Sequence, residues 1–167
     1  MGLIAVNGVR LHVERGGDGP PLLLLHGFTG SAATWEPLLP ALQARFHTVA
    51  PDLIGHGRSD APTDPARYAM DRCVADLVAL LDALDIDRAA VLGYSMGGRT
   101  ALHLALAAPE RVSALVLEGA SPGIADPAER AARVASDTAL ADRIEREGLP
   151  AFVDAWERLP LFASQQR

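Results

Sequence analysis

The sequence predicts an α/β chain: a doubly wound, mostly parallel sheet followed by a helical segment resembling a lid. Three observations predict it. Short apolar runs of strand length at 22–25, 47–50, 89–92 and 112–117 alternate with stretches whose apolar residues recur at helical spacing. Strands linked through helices of that length need crossovers, which give a parallel sheet covered on both faces. After Glu118-Gly119-Ala120-Ser121-Pro122-Gly123 the alternation stops and the chain reads as helix alone. The 167 residues suffice for one domain with a real core. The expected division is a core over 1–120 and a lid segment over 121–167.

The elements follow in order. Residues 3–6 and 9–13 flank Asn7-Gly8, a strong short hairpin signal. Val9, Leu11 and Val13 alternate with Arg10 and His12, so one face of the second strand is expected to be wet. Pro21-Leu22-Leu23-Leu24-Leu25 is a continuous apolar run, as in a buried parallel strand. Trp35, Leu38, Leu39 and Leu42 mark a helix, and 47–50 a strand. Val74, Leu77, Val78, Leu81 and Leu84 mark a helix at clean spacing. A strand at 89–92 leads into a helix over 96–108, which Pro109 stops. Residues 112–117 read as another buried strand. Asp126-Pro127-Ala128-Glu129 is a helix start, with an acid at the cap and proline at the first helical position. That helix runs to about Glu147, and Gly148 separates it from one holding Phe152, Val153, Trp156 and Leu159.

Composition excludes several functions. The net charge of −6 disfavours a nucleic-acid groove. All 15 basic residues are arginines, so there is neither a Schiff-base lysine nor a P-loop lysine. The single Cys73 excludes disulfide scaffolding, and its place in a helical pattern suggests a buried thiol. No Cys/His cluster has metal-ligand spacing, so neither metal nor cofactor is expected. The N-terminus lacks a basic-then-apolar signal, and no apolar run could span a bilayer. A soluble, cytoplasmic protein without a membrane partner is the expectation.

Gly93-Tyr94-Ser95-Met96-Gly97 carries the most chemical information. A pentapeptide with three fixed positions can arise by chance. Between a strand and a helix, however, Gly-x-Ser-x-Gly denotes a nucleophile elbow. The turn is so sharp that Ser95 needs small neighbours, and its hydroxyl stands exposed at a helix start, where backbone N–H groups favour developing negative charge. His26-Gly27-Phe28 ends the 22–25 strand. The two oxyanion-hole donors would be the backbone N–H groups of Phe28 and Met96, while His26 itself reads as a structural hydrogen-bonding residue. Residues 52–59, Asp-Leu-Ile-Gly-His-Gly-Arg-Ser, read as a tight glycine turn with Asp52 and His56 bonding within it. Arg99 lies one helical turn after Ser95. Its guanidinium suits pairing with a carboxylate, although a plain surface arginine has the same signature. Glu118 could serve as an acid but has no histidine to orient, so it is taken as structural.

An elbow serine needs a histidine and an acid to activate it, in the chain order serine, acid, histidine. Of the five histidines only His103 follows Ser95. It lies eight residues up the same helix, about 12 Å along the axis at ~1.5 Å per residue. That is beyond proton-transfer reach.

The hairpin, His26-Gly27-Phe28, residues 52–59 and the elbow together resemble the α/β-hydrolase superfamily. Within it, Gly93-Tyr94-Ser95-Met96-Gly97-Gly98-Arg99, Glu118-Gly119-Ala120-Ser121-Pro122-Gly123, Glu129-Arg130-Ala131-Ala132-Arg133 and Phe162-Ala163-Ser164 resemble a menaquinone-pathway family, the 2-succinyl-6-hydroxy-2,4-cyclohexadiene-1-carboxylate synthases. The resemblance implies elimination of pyruvate from a polycarboxylate by a serine that an Asp–His pair activates. It also implies that Tyr94, Arg99, Arg133 and Trp156 contact the anionic substrate. The family's triad acid and histidine would follow Arg167, so this chain corresponds to the N-terminal part of the fold and is expected to be inactive alone. A carboxylester hydrolase and a non-catalytic fragment that binds ligand or self-associates are the competing readings. Without its next neighbour the 112–117 strand would expose one edge, so self-association or a complementing C-terminal segment is expected.

Overall fold

The structure, a computed structural model, describes residues 2–160; Phe162-Ala163-Ser164 lies outside the described residues. The chain forms two compact units, Met1–Pro122 and Gly123–Arg167. The first opens with a hairpin of β1 (Gly2–Val6) and β2 (Val9–Gly16). Asn7 and Gly8 both take positive φ at its turn, 44° and 84°, as a two-residue turn matched to strand twist requires. β3 (Pro21–Leu25), β4 (His47–Pro51), β5 (Ala89–Tyr94) and β6 (Val112–Glu118) complete a six-stranded sheet in the order β1-β2-β4-β3-β5-β6. β4, β3, β5 and β6 are mutually parallel, and the hairpin joins β4 antiparallel. The mostly parallel α/β fold expected from the alternating runs is therefore present.

Helices cover both faces because the central strands are apolar on both. On one side Leu23 and Leu25 of β3, Val49 and Val91 form a cluster with residues of two helices, α2 (Met70–Ala83) and α3 (Met96–Ala107). α2 contributes Val74, Leu77, Leu80 and Leu81, and α3 contributes Ala101 and Leu104. On the other side Leu22 and Leu24 meet Ala32, Trp35 and Ala50. Successive leucines of one strand thus enter opposite layers, following the two-residue period of a strand.

Three expectations change. The stretch around Trp35 and Leu42 is not one helix. It is a 3-10 turn, Ala32–Trp35, followed by the five-residue helix α1 (Leu39–Gln43), with Leu38 half exposed. Pro37 lies between the two pieces and cannot donate a backbone hydrogen bond, so a continuous helix is interrupted there. His12 is buried rather than wet, because the loop after β4 folds back over β2. Its N–H donates to Ser59 Oγ at 2.9 Å, and its carbonyl accepts from Asp52 N–H at 2.8 Å. β6 is not enclosed. It ends the sheet order, and Val116 and Leu117 are 56% and 41% exposed.

The second unit holds α4 (Pro127–Glu147) and α5 (Leu149–Glu157), which contact each other. Asp126 caps α4 by accepting from the N–H groups of Ala128 and Glu129 at 2.8 and 2.9 Å, as the Asp-Pro-Ala-Glu signal predicts. Gly148, at φ 82°, turns the chain into α5. No helix among the described residues is long and apolar enough to cross a membrane.

Candidate active site

Ser95 joins β5 to α3 at φ 52° and ψ −112°, a region that a residue with a side chain occupies only under strain. The surroundings enforce it. A Cβ on Gly93 would run into the Gly97 backbone, and one on Gly97 into the carbonyls of Leu25 and His26. Both glycines of the motif are therefore required by close packing. Ser95 N–H donates to the Glu118 carbonyl at 2.8 Å, while the Ser95 carbonyl accepts from Arg99 N–H at 3.0 Å and opens α3. The Ser95 hydroxyl does not cap the helix. It is thus left available for chemistry, and the Met96 N–H belongs to the first helical turn, which has no intrahelical acceptor.

The His26-Gly27-Phe28 loop lies against the elbow. A Cβ on Gly27 would come within 2.9 Å of the Tyr94 ring and 3.4 Å of Ser95 Cβ. Thr29 turns at φ 66°, and Gly30 N–H closes the turn on the Gly27 carbonyl at 3.0 Å. The structure thus brings Tyr94, Ser95 and Met96 together with the loop that carries Phe28.

Beneath this loop is a buried polar support. His26 is fully enclosed. Its Nδ1 lies 2.8 Å from the Gly27 carbonyl, and its Nε2 accepts from Leu53 N–H at 3.0 Å. That pattern places the proton on Nδ1 and leaves neither nitrogen free to act as a base. Burial pushes its pKa down, the Gly27 carbonyl opposes this, and the nearby His56 pushes it down further. The His56 ring sits 5.1 Å from His26 and edge-on to Phe28 at 6.3 Å. Asp52 ties the two loops together. Its Oδ1 accepts from Ala32 N–H at 2.7 Å, its Oδ2 accepts from Arg58 N–H at 2.8 Å, and His12 Nδ1 lies 3.2 Å from Oδ2. A side chain on Gly57 would collide with that carboxylate. The sequence marked Asp52 only as a turn residue and missed its reach to Ala32 and His12, because contacts between segments 20 and 40 residues apart leave no local pattern.

Arg99 is exposed on α3, and no hydrogen bond or ion pair engages its guanidinium among the described residues. His103, one turn further, is also exposed. Arg133 and Trp156 stand on the helical unit. Arg133 Nε donates to both Asp137 oxygens at 2.8 Å, and the Trp156 ring lies 5.5 Å from that of Phe152. Glu118 acts through its backbone carbonyl, which holds the Ser95 amide.

Comparison with known proteins agrees with this geometry. The family model for the alpha/beta hydrolase fold matches residues 20–164. A Bacillus subtilis (strain 168) protein named "Putative 2-succinyl-6-hydroxy-2,4-cyclohexadiene-1-carboxylate synthase" is 45% identical over 163 residues, covering 96% of this chain and 59% of that protein. An epoxide hydrolase of Caballeronia sordidicola is 41% identical over 113 residues, 67% of this chain and 34% of its own length. Among solved structures, a mutant epoxide hydrolase of Vigna radiata superposes with a TM-score of 0.67 at 35% identity, covering 69% of this chain and 36% of that one. The meta-cleavage product hydrolase of Pseudomonas fluorescens IP01 gives 0.67 at 34%, covering 72% and 45%. The chain therefore spans between about a third and three-fifths of the length of these relatives. On its fold, its elbow and these matches, the chain belongs to the α/β-hydrolase fold family.

Proposed function

We propose that this chain carries the nucleophile-bearing part of a lyase that eliminates pyruvate from a polycarboxylate to form 2-succinyl-6-hydroxy-2,4-cyclohexadiene-1-carboxylate, a step of menaquinone biosynthesis. The observation that carries the reading is the unpaired Arg99 guanidinium one helical turn after the strained Ser95. A free, exposed cation beside a nucleophile suits a carboxylate-bearing substrate, which it can hold bidentately. The name of the Bacillus subtilis relative supports the same choice.

In this reading Ser95 Oγ takes up a substrate proton once a histidine–acid pair makes it basic. The negative charge that then develops is met by the N–H groups of Met96 and Phe28. Tyr94 flanks the nucleophile, and Arg133 and Trp156 hold further parts of the substrate. No cofactor is required.

A carboxylester hydrolase is the second reading, favoured by the hydrolases among the similar structures. The two separate on the arginines. With this chain fused to the C-terminal segment of the Bacillus subtilis relative, Arg99→Ala and Arg133→Ala should each cost pyruvate release roughly 2–5 kcal/mol in kcat/KM, the scale of truncating a buried charge pair. Hydrolysis of a neutral p-nitrophenyl ester should change far less. Equal losses on both substrates would select the hydrolase.

A further inference from the structure

We propose that His26 is a positioning residue for the oxyanion hole, acting through a one-way chain of hydrogen bonds that runs from Leu53 N–H to Phe28 N–H. The proposal rests on the reading of Phe28 N–H as an oxyanion donor, and it holds for either reaction considered above. Its basis is covalent: the Gly27 carbonyl and the Phe28 N–H are the two ends of one peptide unit. No cis peptide bond occurs among the described residues, so in this planar unit the two groups point in opposite directions. Whatever holds the Gly27 oxygen therefore aims the Phe28 N–H. Two donors hold it, His26 Nδ1 at 2.8 Å and Gly30 N–H at 3.0 Å.

The His26 ring has one arrangement that meets its surroundings. It is fully enclosed, and Leu53 N–H donates to Nε2 at 3.0 Å, which leaves the ring proton on Nδ1, facing the Gly27 oxygen. Turning the ring over would put carbon in both places. Gly30 keeps the space clear, since a Cβ there would come within 3.0 Å of the Gly27 oxygen and 3.3 Å of Nδ1. Asp52 fixes the far end of the same loop by accepting from Ala32 N–H at 2.7 Å. Neighbouring residues 52 and 53 thus hold both ends of the loop that carries Phe28. Donor and acceptor alternate in one sense from Leu53 N–H, through the imidazole and the Gly27–Phe28 peptide, to the Phe28 N–H. Hydrogen bonds linked head to tail in a buried setting polarise one another. The last N–H is therefore both aimed and strengthened as a donor to developing negative charge.

The test uses the chain fused, as above, to the C-terminal segment of the Bacillus subtilis relative, with kcat read on whichever of pyruvate release and ester hydrolysis it performs. Two side chains each copy half of the ring. Asparagine sets an amide N–H near the Nδ1 position, and glutamine sets an amide oxygen near the Nε2 position. His26→Asn thus keeps the bond to Gly27 and loses that to Leu53, while His26→Gln does the reverse. Both should lower the melting temperature. In kcat they should part: His26→Gln falls about tenfold to a hundredfold at unchanged KM, within the ~10²–10³ that losing an oxyanion donor costs, and His26→Asn no more than about threefold. Phe28→Pro deletes the N–H and should bring the full oxyanion loss, to which His26→Gln then adds little. One measurement needs no variant to fold. In the isotope-labelled 167-residue chain, NMR should find the His26 proton on Nδ1 and a scalar coupling across its bond to the Gly27 carbonyl. Equal kcat losses in the two His26 variants, additive losses with Phe28→Pro, or a proton on Nε2 would each overturn the proposal and leave the Phe28 assignment standing. Undiminished kcat in Phe28→Pro would overturn both.

Discussion

His26 shows how one buried side chain sets the behaviour of the loop over the nucleophile. Its Nε2 accepts the Leu53 N–H, so protonation would set two donors against each other and release the loop carrying Phe28. Burial lowers the folded-state pKa below the ordinary histidine value. The unfolded chain therefore binds this proton more readily. The contribution to stability is complete above about pH 6.5 and is lost as pH falls from there towards the lower folded-state value. Melting temperature measured against pH should show that acid-side slope in the wild type and a shallower one in His26→Gln. Identical slopes would assign the acid sensitivity to other groups. The sequence reading made His26 structural, and its two ring contacts bear that out. It read His12 as solvent-facing, because strict alternation along a strand takes no account of a loop that later folds over it.

The elbow belongs to the scale of elements, since it exists only where a strand, a turn and a helix meet. Gly97 leaves no room for a methyl group between α3 and the end of β3. Gly97→Ala should therefore cost about 1–3 kcal/mol or more by overpacking against backbone that cannot yield. Urea unfolding of the two chains measures it, and a neutral result would show that α3 slides without loss. The Gly-x-Ser-x-Gly context was legible because its glycines answer a local steric demand. The helix around Leu38 was misread because apolar spacing outweighed Pro37, and a proline decides continuity whatever the pattern around it. The 112–117 run was legible as a strand from its own pattern, whereas its open edge was expected only from the resemblance. Apolar content reports what a strand can bury, and only the strand order reports what it does bury.

At the scale of the whole molecule, no hydrogen bond joins a histidine to Ser95 among the described residues. The core unit holds a strained serine, a helix N-terminus and a buttressed loop, but neither nitrogen of His26 is free and His103 stands two turns along α3. The 167-residue chain should thus turn over a p-nitrophenyl ester by no more than ~10³–10⁴ over water, the residue left when a triad member is removed from a serine hydrolase. Turnover well above that, abolished by Ser95→Ala, would reveal a base within this chain. The elbow was legible because its signal lies within five consecutive residues. The inter-loop tie through Asp52 was not, since it spans three segments.

The bond from Ser95 N–H to the Glu118 carbonyl has a wider consequence. The peptide that anchors Ser95 is the last one of β6, the end strand among the described residues. The alignment of β6 and the placing of Ser95 therefore share a single chemical group. Whatever fixes the alignment of that strand also fixes where the hydroxyl stands, and a slip of one residue would exchange a carbonyl for an amide at the anchor. The end of β6 is in this sense the back wall of the elbow.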